Sequence, residues 1–241
     1  MQEEIKELNP LGYKPIGKLL KSLAIPAIIA NLVNALYNVV DQIFIGQRVG
    51  YLGNAATNIS FPITTICLAI GLTLGIGGAS NFNLELGKGY PEKSKHTAGT
   101  AASTLIIIGI ILCISVRIFL EPLMISFGAT DKILEYSMEY TGITSYGIPF
   151  LLFSIGVNPL VRADGNAKYS MIAIVTGAIL NTILDPLFMF VYNWGIAGAA
   201  WATVISQVVS ASLLLIYFPR FKSVKFSLND FIPQLHYLKR I

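Results

Sequence analysis

Six long stretches without a charged residue dominate this sequence: 22–40, 49–84, 97–116, 140–161, 169–184 and 186–219. A helix rises about 1.5 Å per residue, so roughly 20 apolar residues cross the ~30 Å hydrocarbon layer of a bilayer. Soluble domains carry about 25% charged residues. Here charged residues make up 12% against 54% hydrophobic, too few to cover a water-facing surface. Glycine, proline and asparagine divide the runs into six helical spans near 18–45, 55–83, 97–119, 134–158, 168–191 and 196–218. The expected fold is all-α: a polytopic membrane protein of six transmembrane helices. A short segment, 1–17, precedes the helices, and a segment mixing charge with apolar residues, 219–241, follows them. The first apolar run is too long for a signal peptide, so helix 1 is expected to stay as an anchor.

The basic residues set the orientation. Of 17 Lys and Arg, 14 fall in the N-terminal segment, the second-to-third connection, the fourth-to-fifth connection and the tail. Arg48, Arg117 and Lys132 are left for the opposite side. Both termini are therefore expected to be cytoplasmic, in a plasma (inner) membrane. The net charge of +4 is a topology signal, and no nucleic-acid partner is expected. The partners implied are the lipid bilayer and whatever occupies the polar interior.

Ionisable groups inside a bilayer cost about 2.5–3.5 kcal/mol on insertion scales, so each needs a reason. Asp41 in the first span and Asp185 in the fifth lie at matching depth, five or six residues from the same membrane surface. Asn31, Asn34, Asn38 and Asp41 are spaced 3, 4 and 3, which places them on one helix face that cannot meet lipid. Asn181 pairs with Asp185 at i, i+4. On the sixth span Thr203, Gln207 and Ser210 repeat that spacing, with Thr203 level with Asp185. The fourth span adds Tyr140, Thr144 and Asn158. Carboxylate, amide and hydroxyl oxygens make a hard-ligand site suited to sodium or a proton. Each feature has a plainer reading. Asp41 can lie at the interface, Asp185 can satisfy backbone freed by Pro186, and the asparagines can join helices. Tyr37, Phe61, Phe150 and Phe153 read as packing or lipid-facing residues before cavity walls.

Enzyme chemistry finds no support. The only histidines, His96 and His236, lie outside the spans, and no HExxH, paired CxxC, Walker A or GxSxG element occurs. Cys67 and Cys113 read as small apolar residues of the spans. Gly71 and Gly75 have the spacing of a close helix–helix contact. No cofactor is expected.

These residues carry a resemblance to the multidrug and toxic compound extrusion (MATE) family, in particular its DinF-like and MepA-like prokaryotic branch. The matching features, in order, are Pro26, the run Val39-Val40-Asp41-Gln42-Ile43-Phe44-Ile45-Gly46, Leu86-Gly87-Lys88-Gly89, and Arg162-Ala163-Asp164-Gly165. Next come Asn181-Thr182-Ile183-Leu184-Asp185-Pro186 and Gly195-Ile196-Ala197-Gly198-Ala199-Ala200. The Asn-x-x-x-Asp-Pro element followed by Gly-x-x-Gly-Ala-Ala is the most specific. The resemblance implies one six-helix lobe of a twelve-helix antiporter that exports cationic or amphipathic drugs against sodium or protons. It implies a cation site at Asp41, Asn181, Asp185 and Thr203, with Tyr140 and Asn158 near it and Asn34 and Asn38 facing the same substrate cavity; Tyr37, on the same helix, is the further candidate for its wall. It makes Pro26 a hinge and residues 219–241 an inter-lobe linker. The second lobe is absent from the 241 residues, so it is expected in a longer parent chain or a separate partner chain. Two alternatives stand: a lipid-linked oligosaccharide flippase, which needs a basic cavity, and a non-transporting membrane subunit.

Overall fold

The computed structural model describes residues 15–241. The proposed N-terminal segment 1–17 therefore lies outside the described residues up to residue 14. Among the described residues the chain is helical with no strand. The helices are α1 (Ile16–Arg48), α2 (Tyr51–Gly87), α3 (Pro91–Ile118), the short α4 (Leu120–Ser126), α5 (Asp131–Thr144), α6 (Ile148–Ala163), α7 (Ala167–Pro186), α8 (Gly195–Tyr217) and α9 (Leu235–Leu238). Six units are long and apolar enough to cross a membrane: α1, α2, α3, α5 with α6, α7 with its extension to Val191, and α8 with its extension to Arg220.

Five of the six units outrun their uncharged stretches, because the helical hydrogen-bond ladder continues through polar residues at the membrane surface. Pro15 starts α1: its carbonyl accepts from the Lys18 and Leu19 amides, both at 3.0 Å. The helix passes through Pro26 without a break in its 33 residues. Val49 and Gly50 make the reversal into α2, with Gly50 at φ +82°, a left-handed value that glycine adopts without strain.

The fourth span differs from the single helix expected at 134–158. A 3-10 turn, Ser145–Gly147, interrupts it. Pro149 explains this: it lacks an N–H, and its ring excludes the carbonyl one helical turn back, so α6 starts anew around it. Proline acts again at Pro186, after which the chain widens into a π turn over Leu187–Val191.

In the bundle, α6 is central and packs against α2, α3 and α8, while α1 packs chiefly on α7. The α2–α6 contact uses the predicted glycine pair. A Cβ on Gly71 would lie 2.7 Å from Ile155 Cγ2, and one on Gly75 would lie 2.6 Å from Gly156 Cα. Cys67 is in the core and Cys113 packs against it; both thiols are free. A buried hydroxyl pair, Ser60 and Thr141 at 2.5 Å, joins α2 to α5.

Residues 221–241 fold back as a packed element instead of trailing away. Phe218, Phe221, Phe226 and Phe231 form a ring cluster with centroids 5.0–5.6 Å apart. Phe82 of α2 meets it edge-on. The buried Asp164 carboxylate holds the start of this segment. It accepts from the Tyr217 hydroxyl at 2.7 Å, the Lys222 amide at 2.9 Å and the Ser223 amide at 2.9 Å. Farther along, Arg240 reaches Glu85 at 3.7 Å, and His96 Nδ1 lies 3.4 Å from Asp230.

Candidate functional site

A cavity of about 230 Å³ opens between α1, α2, α6, α7 and α8. On α1 its wall is Pro26, Ala27, Ala30, Asn31, Asn34 and Tyr37. At 100° per residue these fall within one arc. Leu68 and Leu72 of α2, with Leu151, Ile155 and Ile174, make an apolar side. Ser154, Asn158, Ser170, Asn181, Thr203, Ser206, Gln207 and Ser210 make a polar one. Arg162 closes the end nearest the α6–α7 turn.

At the other end the two acids come together. Asp41 is 7% exposed and Asp185 is fully buried. The two carboxyl groups are within hydrogen-bonding reach of each other. The Asn181 amide donates to Asp185 Oδ1 at 3.2 Å and, more weakly, to Thr203 Oγ1 at 3.5 Å. Tyr140 reaches Thr203 and faces both acids, and Tyr37 stands close to the same pair. Above them Ile45, Met189 and Ala199, with Phe44, Val49 and Tyr140 against them, form an apolar plug. Arg48 ties that plug together, its Nε donating to the Met189 carbonyl at 3.0 Å and its Nη2 to Asn193 Oδ1 at 2.7 Å.

The decisive feature is what these groups lack. Asp41 Oδ1, Asp185 Oδ2 and Asn181 Oδ1 are all buried and none has a hydrogen-bond donor. Buried polar atoms are nearly always satisfied. These three buried acceptors, two of them carboxylate oxygens, cluster where α1 meets α7, just outside the cavity wall except for Asn181, which lines it. Among the described residues no group of three His, Cys, Asp or Glu side chains forms a metal site. Two acids with an amide and a hydroxyl fit a sodium ion or a proton better than a transition metal. Asp185 is also not spent on backbone freed by Pro186, since its hydrogen-bond donor is the Asn181 side chain.

Other sequence-predicted residues divide. Asn34, Tyr37 and Asn158 line the cavity, as does Pro26. Asn158 has both polar atoms engaged with Ser170, at 3.1 and 2.8 Å, so it joins α6 to α7. Asn38 is not in the cavity wall. It borders a separate open depression with Gln42 and Asn54, and its amide donates back to the Asn34 carbonyl at 2.7 Å. Tyr140 adjoins the acids from beyond the cavity. Sequence reading did not place Arg162 in the cavity, counting it among the basic residues of the fourth-to-fifth connection. The signal was available: Leu151, Ile155, Asn158 and Arg162 are spaced 4, 3 and 4, a single face of α6.

Comparison with known proteins agrees with this architecture. The sequence profile of the MatE family matches residues 26–187. A multidrug export protein MepA of Staphylococcus haemolyticus (strain JCSC1435) is 27% identical over 209 residues, 85% of this chain and 45% of that protein. Among solved structures, a MOP superfamily transporter from Pyrococcus furiosus Vc1 (DSM3638), reported with a binding pocket of reverse polarity, superimposes with a TM-score of 0.85 at 29% identity. The match covers 99% of this chain and 52% of that one. An outward-facing multidrug resistance MATE family transporter gives the same TM-score, identity and coverage. The chain thus spans about half the length of the relatives it matches. With the family profile covering most of its length and the lobe architecture shared throughout, this chain belongs to the MATE family of membrane transporters.

Proposed function

We propose that this chain is the six-helix half of a cation-coupled exporter, in which sodium or a proton binds among Asp41, Asn181, Asp185 and Thr203 and opposes a cationic or amphipathic drug in the adjoining cavity. The observation that carries this is the trio of buried, donor-less oxygens on Asp41, Asp185 and Asn181. Loading them with a cation favours one arrangement of α1 against α7 and α8, and the drug favours the other. Differential binding to two states is the whole of such coupling. The cavity is smaller than the roughly 300–1000 Å³ of drug-sized sites, as suits one wall of a site shared with a second lobe. Pro26, within α1 and against the cavity, is the place for that helix to bend. The basic end faces the cytoplasm of a plasma membrane, following the lysines and arginines. A flippase for a pyrophosphate-linked substrate would need a strongly basic cavity, whereas this wall contains one basic residue, Arg162.

The test is a melting experiment on the purified chain in nanodiscs, with sodium chloride against choline chloride at several pH values. A ligand at 100 times its Kd stabilises by about 2.7 kcal/mol. Sodium- or pH-dependent stabilisation that disappears in the Asp41→Asn/Asp185→Asn variant supports the assignment. Identical melting in both salts at every pH, or a shift that survives in the variant, refutes it.

A further inference from the structure

Arg162 is half-buried at the end of the cavity opposite the acids, and its side chain has no hydrogen bond or ion pair among the described residues. The nearest acid in sequence, Asp164, does not neutralise it: that carboxylate is committed to Tyr217, Lys222 and Ser223. A basic residue at a membrane surface ordinarily points to headgroups and water. Arg162 instead lines the cavity wall with Ser170 and Asn158, whose polar atoms satisfy each other. A half-buried charge with no protein partner is stabilised where a ligand supplies the opposite charge. Guanidinium geometry suits a carboxylate or phosphate, which it meets with two parallel hydrogen bonds.

The acids lie just beyond the cavity wall, next to Asn181, so opposite charges flank its two ends. Eleven residues of α7 separate Ser170, beside Arg162, from Asn181, beside the acids, about 16 Å along the helix. Between the two ends run the apolar side chains Leu68, Leu72, Leu151 and Ile155. We propose that Arg162 is a specificity-determining anchor for the anionic group, carboxylate or phosphate, of an amphiphile whose apolar body lies along that wall. The inference rests on the reading of this space as a substrate cavity and is independent of which ion binds at the acids. It extends the substrate range from cationic drugs to zwitterionic and anionic amphiphiles, with positive groups drawn to one end and negative groups to the other.

The test is fluorescence titration of the purified 241-residue chain, in nanodiscs of phosphatidylcholine, with dansyl-undecanoate and with its uncharged methyl ester. The expected result is binding of the acid about tenfold or more tighter than the ester. Arg162→Gln should remove that preference while leaving ester binding unchanged, and Arg162→Lys should keep part of it. The salt-dependent melting of Asp41→Asn/Asp185→Asn reads the cation site in a separate experiment, so failure of this inference and failure of that site are told apart. Equal binding of acid and ester by the unaltered chain overturns the proposal. So does an Arg162→Gln variant, melting like the parent, that weakens both probes alike or neither. Repeating the titration with phosphatidylglycerol in the nanodisc distinguishes the source of the anion. Competition seen in the parent but not in Arg162→Gln supports the anchor with bilayer phospholipid as its occupant. An undiminished acid preference supports it with a soluble amphiphile.

Discussion

Asp164 offers the sharpest quantitative prediction, because a single buried carboxylate holds the chain after α8. Replacing it with asparagine preserves shape but turns one acceptor oxygen into an N–H donor. Oδ2 accepts from Tyr217 and Lys222, and Oδ1 accepts from Ser223 at 2.9 Å and again from Lys222 at 3.2 Å. Whichever way the amide turns, one set of donors faces another donor, and the surviving bonds lose their charge assistance. Hydrogen bonds to a charged group contribute about 1.5–3 kcal/mol each, so the loss is about 3 kcal/mol. At 1.4 kcal/mol per decade, local opening of residues 218–226 becomes about 100-fold more frequent. Amide hydrogen exchange in nanodiscs measures this directly: peptides containing Lys222 and Ser223 should exchange about 100-fold faster in Asp164→Asn, with α2 and α6 unchanged. Unaltered exchange there would refute the reasoning and leave the phenylalanine cluster as sufficient to hold the segment.

Three further outcomes follow from the packing and the site. Gly75→Ala puts a Cβ 2.6 Å from Gly156 Cα; overpacking of about 1–3 kcal/mol should lower the melting temperature by roughly 3–10 °C, and an unchanged melt would mean the helices have room to part. Asn181→Ala removes the donor to Asp185 and one of the three open acceptors, so sodium affinity in a melting titration should fall about tenfold; equal affinity removes Asn181 from the site. Arg48→Gln severs the ties to Met189 and Asn193; exchange at 187–193 should rise while residues 221–241 keep their protection, and no rise would leave the apolar plug holding that end unaided.

Much of this architecture is legible from charge and length alone, because a bilayer tolerates few alternatives to an uncharged helix. The six spans follow from that constraint. What stayed hidden depends on local backbone chemistry or on tertiary contact. Pro149 sits in an apolar run indistinguishable from its neighbours, yet it splits α5 from α6. Pro186 leads into a π turn that no periodicity announces. Residues 219–241 read as a linker, and their packing was not visible because the phenylalanines are scattered among charges; only the folded chain brings Phe218, Phe221, Phe226 and Phe231 together. Depth and helical face anticipated that Asp41, Asn181, Asp185 and Thr203 come close together in the folded chain. Asn38 shows the limit of face arguments: at the rim of the α1 arc, its amide turns to the Asn34 carbonyl and away from the cavity. Arg162 shows the reverse case, a residue counted only for topology whose helical register also puts it in the cavity wall.

The most direct test of the central claim is a calorimetric titration of the purified chain with sodium, with proton release followed by a pH indicator, alongside Asp41→Asn/Asp185→Asn. The account predicts saturable binding of sodium, of protons, or of one displacing the other, that vanishes in the double variant while its fold persists. No binding by a folded parent chain, or equal binding by the variant, would contradict it and return the three open oxygens to a purely structural role.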